Sequence, residues 1–113
     1  MCWAKHHKQS ESYANDAETA LISGESEIAV QFYCLAAEAE ATALDNLDPY
    51  KVRTMGITAV SATARWHKAG DFQQSKKIAE RCLAHHALPS FAVDQLKKLV
   101  EDCNESLSLN KAN

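Results

Sequence analysis

Helix breakers are scarce in this chain: 113 residues contain three glycines and two prolines. With abundant alanine and no sustained alternation of apolar and polar positions, that scarcity favours helix over strand. No run of 18 apolar residues occurs, so no membrane span is expected. The opening MCWAKHHKQSESYAND has no apolar core of the kind a secretory leader needs. The four cysteines, Cys2, Cys34, Cys82 and Cys103, include no C-x-x-C pair, and a reduced cytoplasmic setting is expected. Positive charge is not in excess: 12 Lys and Arg stand against 15 Asp and Glu, which argues against nucleic acid as a partner. Also absent are a Glu-x-x-His pair, a glycine-rich phosphate loop and a nucleophile elbow. No catalytic residue, metal or cofactor is therefore expected.

What is present is apolar periodicity at helical spacing, enough for one domain over residues 1–113. Residues 1–10 read as a loose arm. A first helix over 12–23 places Tyr13, Ala17, Ala20 and Leu21 on one face, and Gly24 stops it. A second, over 25–44, is apolar nearly all round except for Glu27, Gln31, Glu38 and Thr42, the signature of an inner helix. In DNLDP (45–49), Asp48 would cap a third helix with Pro49 in its first position, running to Ala69. Its stripe is Val52, Met55, Ala59, Ala62 and Trp66, and a polar strip of Thr54, Thr58, Ser61, Arg65 and Lys68 runs along one edge. Gly70 closes it, and Asp71 with Gln74 resembles a capping box for a fourth helix over 72–87. Leu88-Pro89 breaks that one. A fifth over 90–107 turns Ala92, Val93, Leu96, Leu99, Val100, Cys103 and Leu107 inward, and residues 108–113 are expected to fray. The expected class is all-α: five antiparallel helices forming two helical hairpins and a closing helix, since short connections favour antiparallel neighbours.

Gly24 and Gly70 stand at equivalent joints, each followed by small residues (Ala29 and Ser75, then Ala36 and Cys82) and by a large apolar one (Phe32, Ile78). The second copy, with Trp66, then Gly70-Asp71-Phe72, then Ser75, Cys82 and Pro89, resembles the tetratricopeptide repeat family. Ala79 stands where that family has a large residue, and the two joints are farther apart than its usual repeat. The resemblance implies a right-handed α-α superhelix and a non-enzymatic scaffold that binds a protein or peptide. It also implies that first helices of hairpins line a groove. Thr54, Thr58, Ser61, Arg65 and Lys68 are then the candidate partner-binding residues, with Arg65 and Lys68 meeting a carboxylate.

Two further readings stand beside this one. A homodimer could form through helix 1, where Ile22 lies off the main stripe, and through Trp3. The segment WHKAG is similar to the surroundings of the phospho-accepting histidine in histidine phosphotransfer domains, although here the lysine and glycine follow His67 more closely. The remaining chemistry-bearing residues read as structural. His67 and the pair His85-His86 lie near the ends of successive helices and cannot share a metal, and Glu38 and Glu40, two apart on a helix, do not face each other and read as solvated charge.

Overall fold

The computed structural model describes residues 2–112, with the side chains of 110–112 left aside. Five helices carry the regular structure of the described residues, and no strand occurs among them: α1 (Trp3–Ile22), α2 (Ser26–Asp45), α3 (Val52–Lys68), α4 (Phe72–His85) and α5 (Ser90–Ala112). They pack in adjacent pairs, α1 on α2, α2 on α3 and α4 on α5, while α3 also packs on both α4 and α5. Within the described residues no helix is long and apolar enough to cross a membrane.

Two joints are built alike. Gly24 and Gly70 have φ of 78° and 80°, a left-handed conformation that glycine adopts without a Cβ clash. At the first, Glu25 N–H donates to Ala20 O at 2.8 Å and Gly24 N–H to Leu21 O at 3.0 Å. At the second, Asp71 N–H donates to Trp66 O at 3.1 Å and Gly70 N–H to His67 O at 3.0 Å. Both are Schellman closures, which satisfy carbonyls that the helix end would otherwise orphan. Asp71 caps α4 by accepting from Gln74 N–H at 3.1 Å. Its own N–H is already used by the closure, so only half of the expected capping box forms.

The joint at DNLDP differs from expectation. Asp48 Oδ1 accepts from Tyr50 N–H at 2.9 Å and Asp48 O from Lys51 N–H at 3.0 Å, so Asp48 and Pro49 make a turn and α3 begins only at Val52. The competing Asx-turn has won over the helix cap.

The core is mostly alanine. Ala17, Ala36, Ala37, Ala43, Ala59, Ala62, Ala79 and Ala92 are fully covered, and small side chains let helix backbones approach closely. Leu44, Leu47, Met55, Ile78, Cys82 and Leu96 fill the space where α2, α3, α4 and α5 meet. Gly56, in the middle of α3, is a contact point: a Cβ there would lie 2.8 Å from Pro89 Cδ and 2.9 Å from Ala92 Cβ. Its missing side chain is what admits the start of α5.

Four further expectations are corrected. The loose arm is helical from Trp3, because its side chains find partners on α2 and α3. Helix 2 is not covered all round: Ile28, Val30 and Leu35 are exposed, and so is Leu21 at the end of α1. The apolar surplus there exceeds what the neighbouring helices can cover. The fourth helix ends at His85, since His86 is already extended (φ −128°, ψ 143°) ahead of Leu88-Pro89. At the C-terminus the backbone stays helical to Ala112, and Asn113 lies outside the described residues.

Candidate functional site: the cleft between α1 and α3

The most costly group to place in this fold is Glu40. Its carboxylate is completely buried, on the face of α2 that also buries Ala36, Ala37, Ala43 and Leu44. A carboxylate withdrawn from water must be paired and hydrogen-bonded or it destabilises the fold by several kcal/mol. Two helices supply the partners. Arg65 Nη1 of α3 donates to Oε2 at 3.1 Å. His7 Nδ1 of α1 lies 2.9 Å from Oε1 and 3.1 Å from Oε2. The other ring nitrogen of His7, Nε2, lies 2.9 Å from Glu11 Oε1. Carboxylates only accept, so both contacts are hydrogen bonds when the ring carries a hydrogen on each nitrogen, as imidazolium does.

Trp3 braces this cluster. Its indole stacks on the His7 ring at 4.6 Å between centroids and 10° between planes. Its Nε1–H donates to Thr58 Oγ1 of α3 at 3.0 Å. One turn further along α1, the buried Ser10 hydroxyl donates to Ala36 O at 2.6 Å. The first two turns of α1 are thus tied to both α2 and α3.

Beyond the cluster, α1 and α3 both pack on α2 more than on each other, and a cleft of about 370 Å³ opens between them. Glu11, Ala14, Asn15 and Glu18 form the α1 wall, and Ser61, Ala64, Arg65 and Lys68 the α3 wall. Tyr33 of α2 is the floor, with Lys68 Nζ standing 5.7 Å from its ring centroid. Burial pushes the Tyr33 hydroxyl above its ordinary pKa and Glu18 adds to that, while Arg65 pulls it down. The hydroxyl therefore stays protonated and available as a donor at neutral pH.

The structure divides the predicted strip. Ser61, Arg65 and Lys68 line the cleft. Thr58 is fully buried; it accepts from Trp3 and donates to Thr54 O at 2.7 Å, so neither it nor that carbonyl is free for a partner. Thr54 is half-buried and away from the cleft lining. Arg65 is no surface residue either: its side chain keeps 16% of its exposure, and its Nε is buried without a protein acceptor.

Sequence reasoning missed His7, misread Glu40 as solvated and gave Trp3 to a dimer contact. A signal for Glu40 did exist, because the apolar arc of α2 surrounds its position. No comparable signal marked His7, whose partner lies 33 residues away.

The other histidines stay apart. His67 meets the Phe72 ring edge-on at 5.1 Å, and its Nε2 is buried without a partner. That leaves a phosphoryl donor no approach to this nitrogen. His85 and His86 border a separate hollow with Arg81, over Leu44, Leu47 and Met55. No group of three His, Cys, Asp or Glu side chains among the described residues is arranged to hold a metal ion.

Fold and cleft define a small all-α protein of five helices, an arrangement compatible with a helical-repeat fold. Comparison of the chain with known protein families, with curated proteins and with solved structures gives no match.

Proposed function

We propose that this protein is a non-enzymatic scaffold that binds a segment of another protein in the α1–α3 cleft. The observation that carries the reading is the cleft itself. Three of the five strip residues, Ser61, Arg65 and Lys68, converge on one concavity over a buried aromatic floor. Such a concavity, with a few convergent polar groups, is the usual form of a recognition site.

A tetratricopeptide-like arrangement is part of the proposal, and the contact order supports it. Along α1 and α2 the pairs are His7 with Glu40, Ser10 with Ala36 and Tyr13 with Phe32, so one number rises as the other falls. This is the pattern of antiparallel neighbours. Between α1 and α3 the numbers rise together, from Trp3 with Thr58 to Glu18 and Lys68 on facing walls. First helices of successive hairpins lie side by side in this way, and a right-handed superhelix would continue it.

The test is affinity capture from native cell extract with wild type and a Ser61→Glu, Lys68→Glu variant, helicity being checked in parallel. A partner held by wild type and lost by the variant supports the cleft. Identical capture by both rejects it. Arg65 is unsuited to this test, because Arg65→Glu would set a second carboxylate against buried Glu40.

A second reading, self-association, has its own observation. Leu21, Ile22 and Ile28 are 50%, 88% and 42% exposed near the joint of α1 and α2, and Leu35, midway along α2, is 41% exposed. Trp3, the other residue expected at that contact, is half-buried and already engaged with His7 and Thr58. A mass that rises with concentration in sedimentation, and falls in Ile22→Lys, would support this reading. A constant monomer mass would end it.

A further inference from the structure

We infer that the segment bound in the α1–α3 cleft carries charges of both signs, an acidic side chain for the α3 wall and a basic one for the α1 wall. The inference rests on the scaffold reading above and specifies its ligand.

Four observations lead to it. The walls are of opposite sign, with Glu18 and the His7-paired Glu11 on α1 and Arg65 and Lys68 on α3. Among the described residues Glu18 and Lys68 form no ion pair, although both line the same space. Lys68 rests instead over the Tyr33 ring. Arg65 is held from behind by the fully buried Glu40 and offers that carboxylate only Nη1. Tyr33 keeps 5% of its exposure and lines the cleft.

These features disfavour the two simpler ligands. A purely acidic segment would gain Lys68 and Arg65 but would lie against Glu11 and Glu18. A purely basic one meets the reverse. Like charges brought together in an interface repel, and complementary potentials select against such partners. A segment with both signs satisfies both walls, while the Tyr33 and Ser61 hydroxyls can donate to its backbone carbonyls. Glu40 also acts here as a positioning group: by fixing the guanidinium of Arg65 it lowers the ordering cost of an acidic side chain docking there.

The experiment is selection from a phage-displayed library of short random peptides on wild type, Glu18→Gln and Lys68→Gln, both substitutions being at exposed positions. Wild type is expected to enrich peptides with an acidic and a basic residue at a fixed separation. Lys68→Gln should relax the acidic position and keep the basic one, and Glu18→Gln should do the converse. Each should weaken the wild-type peptide about tenfold, the effect of 1.4 kcal/mol. Peptides of one sign only would overturn the inference while leaving the scaffold reading intact. No enrichment on wild type, or enrichment indifferent to both substitutions, would overturn both.

Discussion

Glu40 shows how a single side chain can set the architecture around it. Its two oxygens are shared by a helix on each side, so α1 and α3 are registered against α2 through one buried carboxylate. A buried ion pair is weak evidence for net stability, but removing one partner is costly because the other is left uncompensated. Arg65→Ala should therefore lower stability by about 3 kcal/mol, read as a reduced urea midpoint at unchanged slope. Lys68→Ala, exposed on the same strip, should stay within about 0.5 kcal/mol of wild type. A second residue-scale prediction concerns Gly56. Alanine in place of glycine favours a helix by about 1 kcal/mol, but here the new Cβ would meet Pro89 and Ala92 at under 3 Å. Overpacking of that kind costs about 1–3 kcal/mol. Gly56→Ala should thus be net destabilising in thermal unfolding, the opposite of the usual result for a glycine inside a helix.

Among the elements, α1 departs furthest from its sequence pattern. Its first two turns carry Lys5, His6, His7, Lys8 and Gln9, which do not make an apolar stripe. They are helical because Trp3, His7 and Ser10 recur on one face and each has a partner elsewhere in the fold. Isolated helices of this length are marginal in water, and tertiary contacts supply the difference. Trp3→Phe should keep the ring contacts and lose only the Thr58 hydrogen bond, about 1 kcal/mol. Trp3→Ala should cost more, and amide exchange in the first two turns should then speed up ahead of the rest of the chain. At α4, Asp71→Ala should cost about 1 kcal/mol through loss of the cap to Gln74. The joint itself should survive, since Gly70 and the two Schellman hydrogen bonds are untouched.

For the molecule as a whole, thiol chemistry offers a readout of packing. All four cysteines are free; Cys2 and Cys34 are half-buried, and Cys82 and Cys103 are fully covered. Burial, followed by the charges of Asp71 and Glu38, raises the Cys34 pKa. Burial likewise raises that of Cys82, with Arg81 opposing it and Asp45 adding to it. The thiolate is the reactive form, so a raised pKa slows reaction near neutral pH. A thiol reagent should label Cys2 and Cys34 in the native protein, with the Cys34 rate still rising at pH values above the ordinary thiol range. Cys82 and Cys103 should react only on denaturation. Labelling of all four at one rate would mean a far looser core.

The sequence alone determined the helical class, three of the four joints between helices, at Gly24, at Gly70-Asp71 and at Pro89, and the inward face of α5. Each of these follows from local rules: glycine accepts a left-handed φ, aspartate caps, proline lacks a donor, and apolar residues recur at helical spacing. Tertiary structure alone decided which polar residues are inside. Thr58 reads as part of an exposed strip until Trp3 covers it, 55 residues away. Glu40 reads as solvated until His7 and Arg65 reach it from 33 and 25 residues away. The cleft was half legible: Ser61, Arg65 and Lys68 share an edge by spacing, but their facing wall of Glu11, Asn15 and Glu18 belongs to another helix. Helical periodicity reports the neighbours of a residue on its own helix, and desolvation of a charge is fixed by what arrives from elsewhere in the chain.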